Sequence, residues 1–264
     1  MFRREVPPPQ PGAAPIHSRL LSSGLARLTH SPRKTGIYGP APEDFDAFID
    51  SRALEYPASL EDSFVRRALG LGVENGVVLD VGTRVGLIPL RILWENENFL
   101  SIGVDDSSAM IERARETASA WDLGERAFFQ VGDARRMRLK SNYFDLVVSD
   151  RVLHAFADPV SVLSEIGRVV KPKGGILIRD VCRPNRFRMA KLIERQTRRY
   201  GSRMRRQVEA AMRSAYTLGE LRNIVRASGL ENVKVVRMDE DHIGIERQGM
   251  TDPNSWVSVR EQYR

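Results

Sequence analysis

Residues 77–90 read V-V-L-D-V-G-T-R-V-G-L-I-P-L, and no other stretch limits the fold as much. Val77, Val78, Leu79 and Val81 form a short apolar run rich in β-branched residues. A run of this kind that ends at a glycine reads as a buried strand. Gly82 and Gly86 then fall in a loop, and Leu87, Ile88, Leu90, Ile92 and Leu93 continue at helical spacing. The unit is strand, glycine loop, helix. Such a loop is either an ordinary strand-to-helix turn or a place where backbone meets a ligand. In the second case the ligand lies at the carboxyl end of a parallel strand, beside a helix N-terminus.

The remainder of the chain repeats the alternation. Further strands are expected at 99–104, 127–131, 144–148 and 176–181. A helix capped by Ser107 carries Met110, Ile111, Ala114 and Ala118. Another spans 159–170, with Val162, Leu163, Ile166, Val169 and Val170 on its inner face, and residues 171–175 turn into the fifth strand. A helix over 218–227 precedes strands at 233–238 and 243–246, an antiparallel pair at the sheet edge. Strands alternating with helices predict an α/β fold, a doubly wound and mostly parallel Rossmann-like sheet. Around this domain (76–247) lie a flexible basic tail (1–40), helices at 43–54 and 58–71 within segment 41–75, and a polar, loose C-terminal tail (248–264). Ser59 and Asp62 suggest a cap for the second of those helices.

Charge divides the chain further. The net charge is +7, yet residues 1–40 hold six basic residues against Glu5 alone, and residues 183–213 hold eleven against Glu194 and Glu209. An acidic body therefore carries two basic appendages. The second is an insertion before the last strands, with Phe187, Met189, Leu192, Ile193 and Val208 as apolar anchors. It reads as a lid over an acceptor site, a solvated face, or a surface for an anionic partner such as RNA. The single cysteine, Cys182, excludes an internal disulfide and any cysteine-based metal site, and no metal is expected. No run approaches the roughly 18 apolar residues of a membrane span. Pro7, Pro8 and Pro9 interrupt any secretory h-region, so a cytoplasmic setting is expected. An Arg- and Ser-rich start also has the character of an organellar transit peptide.

Carboxylates recur at the strand ends: Asp80, Asp105, Asp133 and Asp150. Asp105 follows Gly82 by 23 positions, close to the ~20 expected of an acid that accepts from both ribose hydroxyls. A dinucleotide fingerprint fails, because Arg84 and Leu87 stand at its second and third glycine positions. A P-loop fails because no G-K-[ST] follows.

The chain resembles the class I S-adenosylmethionine-dependent methyltransferases over residues 75–247. Their loop, D-x-G-x-G-x-G, is matched by residues 80–86 with Arg84 as the one departure. Further matches are G-V-D-x-S at 103–107, G-D-A at 132–134, F-D-L-V-V-S at 144–149, V-L-H at 152–154, R-V-V-K-P at 168–172, R-D-x-x-R-P at 179–184 and A-Y-T-L-G-E-L-R at 215–222. The resemblance implies S-adenosylmethionine as cofactor. Asp80, Gly82 and Gly86 would surround its methionine moiety and Asp105 its ribose. Asp133 with Ala134 would bind the adenine, and Ser149 and Asp150 would face the reacting end. It also implies methyl transfer, though it is specific for no substrate; a small-molecule acceptor is expected. Two other readings stay open: a non-catalytic regulatory or assembly protein, favoured by Arg84, and an RNA methyltransferase using 183–213. The Asn-Pro-Pro-aromatic motif of enzymes acting on exocyclic base amines is absent. No catalytic residue is assigned. His154 suits a general base or a structural role. Arg84 can pair with the cofactor's carboxylate, sit in a relaxed loop, or plug the pocket.

Overall fold

The computed structural model describes residues 58–198 and 202–251. The expected tail 1–40 and the helix at 43–54 lie outside them. Seven strands form one sheet in the order β3-β2-β1-β4-β5-β7-β6. They are β1 (Gly76–Val81), β2 (Phe99–Asp105), β3 (Ala127–Val131), β4 (Phe144–Asp150), β5 (Val170–Val181), β6 (Lys234–Arg237) and β7 (His242–Arg247). The first five are mutually parallel, and β7 runs antiparallel between β5 and β6. Every residue of β1 and β4 is buried, as the apolar stretches Val77–Leu79 and Leu146–Val148 demand of strands covered on both faces, and the acids Asp80, Asp145 and Asp150 are buried with them. Chain order reverses between β1 and β4, which opens a crevice at the carboxyl ends of these two strands.

Helices cover both faces. On one lie α1 (Ala58–Leu69), α2 (Leu87–Glu95) and α3 (Ser108–Ala120). Their Phe64, Leu90, Ile92 and Ile111 pack on Val78, Leu146 and Leu177. On the other face, α4 (Pro159–Val169) and α7 (Leu218–Ser228) bring Leu163, Ile166 and Leu221 against Leu79, Val147 and Ile176. The caps are local chemistry. Ser107 accepts from the Met110 N–H, Asp158 from the Ser161 N–H ahead of Pro159, and Thr217 with Glu220 closes a capping box. Ser59, expected before its helix, lies inside the first turn of α1.

Two expectations need correction. Residues 171–175 are not a turn but part of β5, which bulges so that Phe144 pairs with Val170 and Leu146 with Gly175. Pro172 has no N–H to donate, and the displaced carbonyls find other partners. Arg247 donates to the carbonyls of Gly174 (2.8 Å) and Lys171 (2.9 Å), and the Met250 N–H donates to Lys173 (2.8 Å). The tail, expected to be loose from Gln248, is fastened at its start. Gly249 N–H donates to the Leu71 carbonyl at 2.7 Å, and the Thr251 hydroxyl both accepts from Glu74 N–H and donates to Gly72.

The insertion forms α5 (Arg186–Thr197), capped by Asn185, and α6 (Ser202–Ser214). Leu192, Ile193 and Met212 make a small core of their own, joined by Met189 and Val208. Phe187, expected as an anchor, is 83% exposed instead. Among the described residues no helix is long and apolar enough to cross a membrane.

Candidate active site

The glycine loop is built by left-handed backbone. Gly82, Arg84 and Gly86 have φ of 74°, 50° and 79°. The N–H groups of Gly82 and Thr83 donate to the Val104 carbonyl at 2.8 and 3.0 Å, which draws the loop onto the end of β2. Gly86 starts α2 with no side-chain cap, and a Cβ there would stand 2.8 Å from the Phe129 ring.

Asp105 is the keystone of this corner. Its Oδ2 accepts from Arg84 N–H at 2.9 Å and its Oδ1 from Ser107 N–H at 3.0 Å. Burial raises its pKa, and these two N–H groups oppose the rise. Each oxygen retains lone-pair capacity for a further donor, as a vicinal diol would require. The 23-residue spacing from Gly82 therefore becomes direct contact between loop and acid.

Arg84 settles one of its three readings. Its φ is left-handed, so the loop has not relaxed into ordinary backbone. That conformation costs a residue with a Cβ about 1–2 kcal/mol. The Asp105 bond offsets the cost, and so does the guanidinium, which donates to the Asp150 carbonyl at 3.2 Å.

Around the crevice the charges are strongly perturbed. Asp80 is 2% exposed, and burial pushes its pKa up to about 7; Thr83 and Arg84 pull it down, while Asp150 and Asp105 push it further up. Asp150 lies at the same depth with the opposite result. Burial pushes it up, but Arg151, Arg179 and Arg84 outweigh that and hold it at about 2. Register explains its main partner: Asp150 stands opposite Arg179 in β5, and Arg179 donates to both its oxygens at 2.7 and 3.0 Å. The Arg179 guanidinium also lies 4.7 Å from the centre of the Phe64 ring, so α1 closes over the pair.

The other expected residues divide. Ser149 is buried and donates its hydroxyl to the Val81 carbonyl at 2.8 Å, joining β4 to β1. Ala134 is buried in the core beside Val104. Asp133 is half-exposed and clasped by Arg135, whose Nε and terminal nitrogen reach both oxygens. Arg135 holds its carboxyl below the usual range.

Sequence reasoning assigned no role to Asp180, although the motif at 179–184 contained it. Asp180 accepts the His154 backbone N–H at 2.7 Å and lies 2.5 Å from His154 Nδ1, with both side chains buried. His154 sits in a 3₁₀ turn (Leu153–Ala155) against which α6 packs. Tyr216 closes the same corner, with its hydroxyl 3.5 Å from the Phe156 carbonyl and its pKa raised by burial and by Asp180.

An open, mostly parallel sheet with an antiparallel strand near one edge, and a glycine loop bound to the acid at the end of β2, is a Rossmann-like architecture with its crevice where strand order reverses. Residues 73–245 match the family model described as "Methyltransferase domain", and the chain belongs to that family. It is 28% identical over 103 residues to the 27-O-demethylrifamycin SV methyltransferase of Amycolatopsis mediterranei, covering 39% of this chain and 38% of that protein. Over 106 residues it is 35% identical to the sterol 24-C-methyltransferase of Aspergillus fumigatus, covering 39% of this chain and 28% of that protein. The chain thus spans well under half the length of these two relatives. A putative S-adenosylmethionine-dependent methyltransferase from Methanococcus maripaludis shares the fold at a TM-score of 0.61 and 18% identity, covering 85% of this chain and 98% of that one.

The residues at the crevice fit an adenosine-bearing cofactor at its ribose end, where Asp105 is oriented by two backbone donors. At the methionine end the fit depends on Arg84, whose guanidinium spans from β1 to β4.

Proposed function

We propose that this chain transfers a methyl group from S-adenosylmethionine to a small-molecule acceptor. The observation that carries the reading is the glycine loop bound through its Arg84 N–H to Asp105 at the point where strand order reverses. S-adenosylmethionine supplies a methyl group already activated on a sulfonium. The protein's task is then to align, to exclude water and to shape the acceptor pocket.

The residues divide that task. Asp105 accepts from the ribose hydroxyls, and Gly82 and Gly86 let backbone approach the methionine moiety. Asp80 lies beneath that moiety. Asp133 and Ala134 flank the adenine, with Asp133 giving up part of its clasp on Arg135. Ser149 holds β4 to β1 below the reacting end. The paired Asp150 and Arg179, roofed by Phe64, form a rigid wall. Helix α6, with α5 packed against it, covers the acceptor corner at the turn that carries His154. Asp180 fixes the His154 ring from its Nδ1 side, so that histidine is presented in one orientation.

The relatives named for rifamycin and sterol methylation support a small acceptor. The RNA reading draws less support, because arginines of the insertion are paired within the chain: Arg188 with Glu240 and Asp241, Arg195 with Asp241, and Arg213 with Glu209. A cytoplasmic setting accompanies the enzyme reading. The non-catalytic reading rests on one observation, the Arg84 side chain across the crevice.

The test is incubation of the protein with methyl-labelled S-adenosylmethionine and, in separate reactions, a small-molecule extract and total RNA, followed by mass spectrometry. A metabolite gaining one labelled methyl is the expected result. Label appearing only in RNA, or no transfer by protein that binds the cofactor, would count against this reading.

A further inference from the structure

Three arginines surround Asp150, and they are not held alike. Arg179 takes both carboxylate oxygens, at 2.7 and 3.0 Å, and its side chain is 3% exposed. Arg151 brings its Nε to 3.5 Å and is 13% exposed. Arg84 comes third. Its terminal nitrogen is 4.0 Å from the carboxylate, its one hydrogen bond is the 3.2 Å contact to a backbone carbonyl, and its side chain is 31% exposed. Of the three, Arg84 is the least committed to Asp150.

The backbone of Arg84 is as fixed as its side chain is loose. Its N–H is bound to Asp105, the residue assigned to the cofactor's ribose, and its φ of 50° is a strained choice for a residue with a Cβ. The guanidinium is therefore anchored beside the ribose site and reaches along the crevice toward Asp150. A planar, permanently charged fork in that place matches one ligand chemistry above others, a carboxylate taken in bidentate fashion.

Resting on the cofactor reading above, we propose that Arg84 is the ligand of the cofactor's own carboxylate, and that its guanidinium leaves the Asp150 carbonyl to pair with it. The contact released is one neutral-acceptor hydrogen bond at the rim. The contact formed is charge-assisted and doubly bonded. Arg179 stays on Asp150 throughout, so the wall of the site does not move. The departure from glycine thereby becomes a recognition device for the amino-acid end of the cofactor.

The test is calorimetric titration of the full chain with two probes, S-adenosylhomocysteine and 5′-methylthioadenosine, which lacks the amino-acid end. Parent, Arg84→Gln and Arg84→Lys proteins are compared, each checked for cooperative thermal unfolding. Parent protein should prefer S-adenosylhomocysteine by about tenfold or more, the worth of a charge-assisted pair. Arg84→Gln should lose most of that preference by binding S-adenosylhomocysteine more weakly, with 5′-methylthioadenosine affinity within about twofold, and Arg84→Lys should recover it only in part. An unchanged preference in Arg84→Gln overturns the proposal and leaves the cofactor reading standing. Tighter binding of S-adenosylhomocysteine by Arg84→Gln also overturns it, because arginine would be a plug. Folded parent protein that binds neither probe removes the cofactor reading itself.

Discussion

Asp80 and Asp150 are both fully buried at the same sheet edge, and their neighbours send them in opposite directions. Asp150 is depressed to about 2 by its arginines. Its stabilisation is complete above the ordinary carboxylate value and is lost as pH falls toward 2. Asp150→Asn leaves Arg179 buried without its counter-ion, so about 3–5 kcal/mol of stability should be lost at pH 7. Urea denaturation reads this, and the deficit should shrink as the pH of the experiment approaches 2. Asp80 has the reverse sign. Its folded value near 7 lies above the ordinary 3.8, so between those values the unfolded chain is ionised while the folded chain keeps the proton. Stability then falls as pH rises from about 4 to 7. Asp80→Asn should gain on the parent by about 2–4 kcal/mol between pH 4 and pH 8, read as the difference between the two denaturation curves. Neither fate was legible in the sequence. Both residues appear there only as acids that close strands; of the neighbours that separate them, Arg151 is adjacent in sequence, while Arg179 comes from β5 and Thr83 and Arg84 from the glycine loop.

At the scale of elements, the two helices of the insertion are joined to each other by their small core, and Arg188 and Arg195 tie them to the body through Asp241 in the β6–β7 hairpin. Arg198, Arg205 and Arg206 are exposed on the insertion. Replacing these three by glutamine should change stability by less than about 1 kcal/mol and cofactor affinity by less than about twofold. Acceptor turnover should fall if the helices act as a lid. If they bind RNA, the parent should show a steeply salt-dependent interaction that this variant loses. Unchanged turnover with no RNA binding by the parent would reduce the insertion to a solvated face. Most elements were readable from periodicity and caps alone, as the matches at β3, α4 and α7 illustrate. The bulge in β5 was not, because the side chain that satisfies its carbonyls, Arg247, comes more than seventy residues later. Phe187 misled for a different reason: helical spacing marks a face without saying whether anything covers it.

For the whole molecule, the order of the strands places Asp80, Asp105, Asp150 and Arg179 at one edge, although they are spread over a hundred residues of chain. That convergence was expected from the βα alternation, since ligands of such sheets bind beyond the carboxyl ends. What sequence could not supply was the bond from the Arg84 N–H to Asp105, which turns a spacing into a site. The central claim is that this corner holds the ribose of S-adenosylmethionine. The most direct measurement is a calorimetric titration of S-adenosylhomocysteine into the parent and into Asp105→Asn, with thermal unfolding recorded for both. The account predicts saturable binding by the parent and affinity lower by roughly 10- to 150-fold in the folded variant, the worth of a charge-assisted contact. Folded parent protein giving no binding heat, or a variant that binds as tightly as the parent, would contradict it.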